Sequence, residues 1–165
     1  LGLLNKIGLE FDPAWAEAHQ GEMADIHRAG EAFCTILFGF YGGPLAVGFL
    51  AGRFAGEIEA EGPGAATAFV RDALRDVFGG DALKYVLRTR ETAWRSNPLT
   101  LGSYSYVRPG AGEARRDLAA PVDEKLFFAG EATSSTACAT VHGAHMSGLA
   151  AARAIIEATA DPAQG

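Results

Sequence analysis

The chain has 165 residues, of which 48% are hydrophobic and 21% are charged, and its formal net charge is −6 at pH 7. This length can bury a core as one domain or supply parts of two, and the composition is that of a folded, soluble protein. The acidic balance argues against a general nucleic-acid surface. No apolar run reaches the length of a membrane span, because glycines and Pro44 interrupt the longest one, at residues 33–50.

The cysteines and the first residues bear on compartment and completeness. Cys34 and Cys138 are the only cysteines, and each lies in an apolar run. We therefore expect two buried, reduced thiols, which suits a reducing compartment and a cytoplasmic protein. The chain starts at Leu1, directly in an apolar run, and we expect no signal peptide. We expect a fragment of a longer protein.

The N-terminal third predicts strands. Residues 3–11 alternate apolar and polar side chains well enough for a strand, which Asp12-Pro13 would end. Residues 33–40 are rich in Phe, Ile and Leu and predict a second strand, and residues 45–49 predict a third. Because residues 41–44 form a Tyr-Gly-Gly-Pro turn, we expect the last two strands to make a hairpin.

The middle of the chain predicts a helix, a strand and a loop. Residues 52–61 are ambiguous. Ala65–Phe78 places apolar side chains at helical spacing, and Gly79-Gly80 would stop that helix. Residues 83–94 predict another strand with several exposed charges, and residues 97–112 predict a loop with a short helical turn.

The C-terminal part predicts one strand and one long helix. Arg115-Arg116-Asp117 predicts a solvated, mobile stretch. Residues 126–130 predict a buried strand, residues 141–158 a helix and residues 161–165 a frayed tail. A shift in composition near residue 112 is the one candidate domain boundary.

The order of elements over residues 126–150 suits a nucleotide cofactor. A strand, a glycine turn, a carboxylate and a short loop lead into a helix rich in Ala and Gly. Backbone N–H groups at the start of that helix can face an electron-rich oxygen. Glu131 can accept a hydrogen bond from a sugar hydroxyl.

Gly130-Glu131, followed by Thr140-Val141-His142-Gly143-Ala144 and then Ser147-Gly148, resembles the C-terminal FAD-contacting segment of the flavin-dependent amine oxidases. That family includes monoamine oxidases, polyamine oxidases and lysine-specific histone demethylases. The resemblance implies that Gly130-Glu131 binds the ribityl or phosphate region of FAD. It also implies that Thr140 and Val141 lie against the flavin ring, with a backbone N–H near its pyrimidine oxygen. Gly143 and Gly148 would let helix and cofactor approach closely.

A second stretch is similar to the same family. Trp94-Arg95-Ser96-Asn97-Pro98 precedes Gly102-Ser103-Tyr104-Ser105-Tyr106. The resemblance implies that Tyr104 walls the substrate amine in front of the flavin, and a tyrosine face attracts a cation. Thr140 occupies the position of the second cage tyrosine of monoamine oxidases, as in the demethylase branch, and is therefore expected to border the substrate too.

Two positions depart from parts of the family. Ser103 stands where monoamine oxidases carry a cysteine that bonds the flavin covalently, which implies non-covalent FAD. Leu99 stands where many relatives carry an aromatic residue, so substrate size and preference stay open.

Other candidate groups are expected to be structural. Lys6 is interpreted as a strand residue, since the family's lysine near flavin N5 lies upstream of this strand. His142 and His145, spaced i, i+3, could form half of a metal site. No carboxylate or cysteine cluster accompanies them, so we expect packing in the first helical turn and no metal.

The resemblance implies an α/β flavoprotein of two domains. Residues 1–115 would supply much of a substrate domain, with a mixed sheet and helices. Residues 116–165 would supply the last strand and helix of a Rossmann-like FAD domain. The implied reaction is oxidation of an amine C–N bond to an imine, with hydride transfer to flavin and reoxidation by oxygen. No catalytic base is expected.

Two alternatives stay open. The chain carries no glycine-rich ADP site, so it could be a non-catalytic fragment or subunit that needs a missing N-terminal FAD-binding region. It could also belong to another flavin oxidoreductase, since L-amino-acid oxidases and carotenoid desaturases share a similar glycine–glutamate segment. Tyr104 and the Thr140–Gly143 motif favour the amine branch.

Overall fold

A computed structural model describes residues 1–28 and 32–160, so the predicted tail at 161–165 lies outside the described residues. The chain divides into two compact units. The first is Leu3–Ser103, and the second contains Leu1–Gly2 and the described residues from Tyr104 onward. The predicted division of the intact protein into domains near residue 115 stays a prediction.

The first unit combines a five-stranded sheet with helices, so the predicted α/β class is confirmed. The sheet has the strand order β2-β3-β4-β1-β5, and each described pairing is antiparallel, where the resemblance implies a mixed sheet. Its elements are β1 (Leu4–Phe11), α1 (Pro13–Ala18), β2 (Met23–His27), β3 (Phe33–Phe38), β4 (Leu45–Ala51), α2 (Gly52–Ala60), α3 (Ala65–Phe78) and β5 (Val86–Glu91).

Alternation along β1 builds the core of the first unit. Ile7, Leu9 and Phe11 are at most 1% exposed. Helix α3 covers this face of the sheet with Val70 and other apolar residues. The helix can approach the sheet closely because Gly48 of β4 has no Cβ. A Cβ at this position would lie only 3.0 Å from the Val70 side chain. A glycine on the strand therefore makes room for the helix.

Asp12-Pro13 ends the first strand, as the sequence predicts, and also begins a helix. Asp12 ends β1, and its carboxylate accepts hydrogen bonds from the N–H groups of Ala14 (3.0 Å) and Trp15 (3.3 Å). Pro13 occupies the first helical turn, where its missing N–H costs nothing. Trp15 then stacks on Phe11, with ring centroids 4.4 Å apart.

Over its described residues, the second unit has the α-helices α4 (Ala114–Ala119) and α5 (Val141–Ala160), with a short 3-10 helix at Glu131–Thr133 between them. The buried strand expected at residues 126–130 is wrong. Leu126 is 60% exposed and Phe128 is 43% exposed, and the segment makes only an isolated bridge between Val122 and Leu126 among the described residues. A strand needs a continuous ladder of backbone partners, and the described part of this unit provides none.

Two side-chain expectations for the second unit are also wrong. Cys138 is exposed, because it lies in the loop before α5 and not in a packed element, whereas Cys34 is fully buried in β3. Burial raises the pKa of the Cys34 thiol to about 12. Arg115 is in a helix and only 9% exposed, contrary to the solvated stretch predicted around it.

Candidate flavin site

Gly130 forms a turn that helix α5 holds in place. Its φ of 143° lies in a region that residues with a Cβ rarely adopt. The Gly130 N–H donates to the Ser147 hydroxyl oxygen (2.9 Å), and that hydroxyl lies 2.9 Å from the Gly130 carbonyl. The Thr133 hydroxyl also donates to this carbonyl (2.9 Å). The turn is therefore held by side-chain hydroxyls that bind both the N–H and the carbonyl of Gly130.

The Glu131 carboxylate follows this turn and accepts three hydrogen bonds. Its Oε1 accepts from the Ser105 N–H (2.8 Å). Its Oε2 accepts from the Ser105 hydroxyl (2.8 Å) and from the Ala139 N–H (2.7 Å). Burial acts to raise the pKa of Glu131, but these bonds, together with the charge of Arg115, hold it below its usual range. The group is ionised at neutral pH.

Arg115 supports the same carboxylate from α4. Its Nη1 donates to the Ser105 hydroxyl (2.7 Å) and to the Ala132 carbonyl (3.0 Å), and lies 4.0 Å from Glu131 Oε2. Neighbouring Arg116 instead pairs with Glu113 at the surface. Successive residues of a helix point about 100° apart, so one arginine turns inward while the next stays in water.

The start of α5 presents free N–H groups. The Thr140 hydroxyl accepts from the Gly143 N–H (3.0 Å) and donates to the Ala137 carbonyl (2.6 Å). The N–H groups of Val141 and His142 make no hydrogen bond to any described residue, and the Val141 side chain is 89% exposed. Unsatisfied donors at the positive end of a helix dipole favour an electron-rich oxygen.

Gly143 is required by the chain's own loop. A Cβ at this position would lie 1.9 Å from the Ala137 carbonyl oxygen, so no side chain fits. From the sequence, we expected Gly143 and Gly148 to allow the close approach of a cofactor. The space at Gly143 is taken by Ala137, whereas a Cβ at Gly148 would meet nothing within 4 Å.

Tyr104 lies next to Ser105 in the chain and is 38% exposed. Its ring covers Gly2, where a Cβ would come within 2.6 Å of ring carbons, and its carbonyl accepts from the Gly2 N–H (2.7 Å). Ser105 therefore links the Tyr104 segment to Glu131. No hydrogen bond joins Tyr104 to Thr140 within residues 1–28 and 32–160.

The loop that leads to Tyr104 is held within the first unit by Ser103 and Asn5. The Ser103 hydroxyl accepts from the Leu4 N–H (2.8 Å) and donates to the Leu4 carbonyl (3.1 Å). Asn5, fully buried in β1, donates to Glu59 Oε2 (2.7 Å) and accepts from the Trp94 N–H (3.3 Å).

Glu59 continues this polar cluster by accepting from both the N–H and the hydroxyl of Ser96, each at 2.7 Å. Burial acts to raise the pKa of Glu59, but the bonds from Asn5 and Ser96 and from the Arg95 N–H lower it.

Sequence reasoning missed several of these supporting residues. Asn5 gave a signal, because it occupies the same face of β1 as Ile7 and Leu9, where an apolar residue is the rule. Ser147 belongs to the Ser147-Gly148 part of the matched motif, but its hydrogen bonds to Gly130 were not predicted. Arg115 gave no signal, since its partners are distant in sequence. Among the described residues, no three His, Cys, Asp or Glu side chains come together as metal ligands. Within the same residues, no helix combines the length and apolar character needed to cross a membrane.

Comparison with known proteins shows the family of the chain. The sequence model of the family described as "Flavin containing amine oxidoreductase" matches residues 1–156. The chain belongs to this family. The amine oxidoreductase fold also appears in solved structures that share 21% identity with the chain. One is cyclohexylamine oxidase from Brevibacterium oxydans IH-35A, with a TM-score of 0.69 over 98% of this chain and 36% of that one. Another is a redesigned putrescine oxidase, with a TM-score of 0.65 over 94% of this chain and 35% of that one.

Curated relatives of this amine oxidoreductase chain include lysine-specific histone demethylase 1 homolog 2 of Arabidopsis thaliana. It is 37% identical over 94% of this chain and 22% of its own length. Histone demethylase-like protein A of Aspergillus fumigatus is 43% identical over 72% of this chain and 11% of its own length. The chain therefore spans about a fifth or less of the length of these relatives.

Proposed function

We propose that this chain supplies the flavin-edge and substrate-wall part of an enzyme that oxidises an amine C–N bond to an imine. The carrying observation is the Glu131 carboxylate, which is ionised and whose Oε1 accepts one hydrogen bond from the part of the chain that the structure describes. A carboxylate oxygen has two acceptor positions, so Oε1 can accept one more donor. A ribityl or ribose hydroxyl is such a donor, and family membership implies a flavin.

The other groups of the site fit the same cofactor. Gly130 keeps the turn before Glu131 free of side-chain bulk, and the free N–H groups at Val141 and His142 suit the pyrimidine edge of a flavin. The absence of a thiol at Ser103 supports non-covalent FAD. Bound FAD would supply the acceptor for the hydride that leaves the substrate α-carbon, and oxygen would regenerate it.

The chain's own residues orient the amine. Tyr104 offers an aromatic face to a cationic or neutral amine, and Thr140 borders the same space. We assign no acid or base of the reaction to the described residues of the chain. The names of the relatives include histone demethylases, and those of the structural neighbours include a cyclohexylamine and a putrescine oxidase. These names support an amine substrate and leave free amine and peptidyl lysine as the two classes to test.

Turnover is proposed for the intact protein and not for this chain alone, because the chain covers 22% of the Arabidopsis relative. A missing N-terminal FAD-binding region is the partner that the site requires. A cytoplasmic location stays a prediction, and relatives named for histone substrates make the nucleus its alternative.

Replacing Glu131 tests the cofactor role. In the intact protein, Glu131→Ala removes a charged acceptor, and we expect FAD to bind at least about tenfold more weakly. The dissociation constant of FAD from the apoprotein is the measurement. Glu157→Ala removes an exposed carboxylate from α5 and is the matched control. Equal FAD affinity in wild type and Glu131→Ala would remove Glu131 from the cofactor site.

Replacing Tyr104 tests the substrate role. Tyr104→Ala should reduce kcat/KM for amines by about tenfold or more while the flavin absorbance spectrum stays unchanged, because the ring orients substrate and not cofactor. Tyr106→Ala, on the same loop and 55% exposed, is the control. Unchanged kinetics across several amines and a lysine peptide would exclude Tyr104 from the site.

A further inference from the structure

The Ser105 hydroxyl has a defined direction because of its neighbour Arg115. A guanidinium group can only donate hydrogen bonds. Since Arg115 Nη1 lies 2.7 Å from the Ser105 hydroxyl oxygen, that oxygen is the acceptor of this bond. The single hydrogen of the hydroxyl is then left for Glu131 Oε2, 2.8 Å away. The three groups form a one-way sequence of donors that ends on the carboxylate.

The remaining bonds of Arg115 go to backbone carbonyls of the turn that carries Glu131. Its Nη1 donates to the carbonyls of Ala132 (3.0 Å) and Glu131 (3.4 Å), and Nη2 donates to that of Ser105 (3.4 Å). The Arg115 side chain is 10% exposed, and its Nη1 lies 4.0 Å from Glu131 Oε2. This distance is too long for a hydrogen bond, so Arg115 does not use an acceptor position of the carboxylate. Arg115 holds Ser105 and the turn at Glu131 together.

We propose that Arg115 is a positioning residue for the Glu131 carboxylate, which it orients through Ser105 for binding of the cofactor. With the Ser105 hydroxyl committed to Oε2 and the Ser105 N–H to Oε1, the carboxylate is held by both oxygens and cannot rotate freely. One acceptor position of Oε1 is thereby kept open for a hydroxyl of FAD. This inference rests on the proposed role of Glu131.

A positioning role and a purely structural role differ in how they depend on Glu131. If Arg115 acts through the carboxylate, its loss matters for FAD only while Glu131 is present. If it merely stabilises α4, its loss weakens FAD binding by the same factor with or without Glu131. A double-mutant cycle on the FAD dissociation constant separates the two.

The experiment uses the intact protein as wild type and as the single variants Arg115→Gln, Ser105→Ala and Glu131→Ala. It also uses two double variants, in which Arg115→Gln or Ser105→Ala is combined with Glu131→Ala. We expect Arg115→Gln and Ser105→Ala each to raise the FAD dissociation constant about tenfold, and by less than about twofold when Glu131 is already alanine. Arg116→Gln, next in the chain and paired with Glu113 at the surface, should leave it unchanged.

Two results would overturn the inference. One is an unchanged FAD dissociation constant in Arg115→Gln and Ser105→Ala, and the other is an equal weakening in the presence and absence of Glu131. If Arg115→Gln fails to fold, Ser105→Ala decides, because it removes one hydroxyl only. If Glu131→Ala itself binds FAD like wild type, the proposed function of Glu131 fails as well, which distinguishes that failure from the loss of coupling alone.

Discussion

The two compact units differ in the interactions that stabilise each of them internally. Each buried apolar side chain among residues 1–28 and 32–160 lies in the first unit, between Leu3 and Ala82. In α5 of the second unit only Gly143 is buried, while Met146 and Ile156 are more than 60% exposed. The second unit instead depends on hydrogen bonds around Glu131 and Arg115.

This difference separates stability from direction. Burial of apolar area supplies most of the free energy of folding but does not orient a polar group. The network in the second unit orients the Glu131 carboxylate but contributes little core. A groove of about 390 Å³ beside α5, lined by Phe127, Phe128 and Met146, shows the same shortage of internal packing. The candidate site therefore lies in the region with the smaller apolar core.

Separating the units should give the largest contrast. A fragment of residues 3–103 should fold alone and unfold cooperatively in urea, because it contains the apolar core. A fragment of residues 104–165 should show little of the α5 helix by circular dichroism, since isolated helices are marginal in water. Cooperative unfolding of the second fragment would contradict the comparison.

Truncating one apolar helix residue in each unit should give a smaller contrast. Leu74 in α3 is fully buried, and Leu74→Ala should lower the free energy of unfolding by about 2–5 kcal/mol. Ile156 in α5 is 65% exposed, and Ile156→Ala should change it by less than about 0.5 kcal/mol. Urea denaturation of the whole chain measures both. Equal effects would show that α5 contributes a core of its own.

Acid titration should give the smallest effect and sharpen the view of the first unit. The pKa of Glu59 is lower in the folded state than in the unfolded state. As the pH falls below about 4.3, Glu59 is therefore protonated in the unfolded state before it is protonated in the folded state. The stabilisation by Glu59 is complete above that pH and is lost as the pH falls through the folded-state value.

In Glu59→Gln this acid-dependent loss should disappear, so the free energy of unfolding should fall less steeply between about pH 5 and pH 3 than in wild type. Urea denaturation at a series of pH values gives the slope. Glu57→Gln, on the same helix, measures the effect of removing a carboxylate from its exposed face. If Glu59→Gln keeps the wild-type slope, the bonds from Asn5 and Ser96 do not stabilise the ionised form.

Local patterns predicted the first unit well. Ala65–Phe78 forms a helix with the predicted bounds, because apolar spacing and a terminal glycine are both local signals. The hairpin of β3 and β4 follows from its turn in the same way. Residues 52–61 were ambiguous, and Gly52–Ala60 became a helix through packing with α3 and the sheet. The short strand β2 was missed, since its exposed Met23 and Asp25 weaken the apolar pattern.

Non-local partners explain the failures in the second unit. Residues 126–130 have the composition of a strand, but composition cannot supply a ladder partner. Arg115 has the charge of a surface residue, and only the fold shows the carbonyls it meets. The motif did place Gly130, Glu131 and Thr140 around one turn and one helix start. Their roles toward cofactor and substrate stay predictions.

Ser103 carries a consequence for redesign of the flavin attachment. Its hydroxyl both donates to and accepts from the backbone of Leu4, and so completes the first residue of β1. A thiol is a weak donor and a weak acceptor. A cysteine introduced here to tether the flavin would loosen the end of a central strand, and once alkylated it would have no hydrogen to donate. A covalently tethered version of this protein would therefore need a second substitution that secures the start of β1.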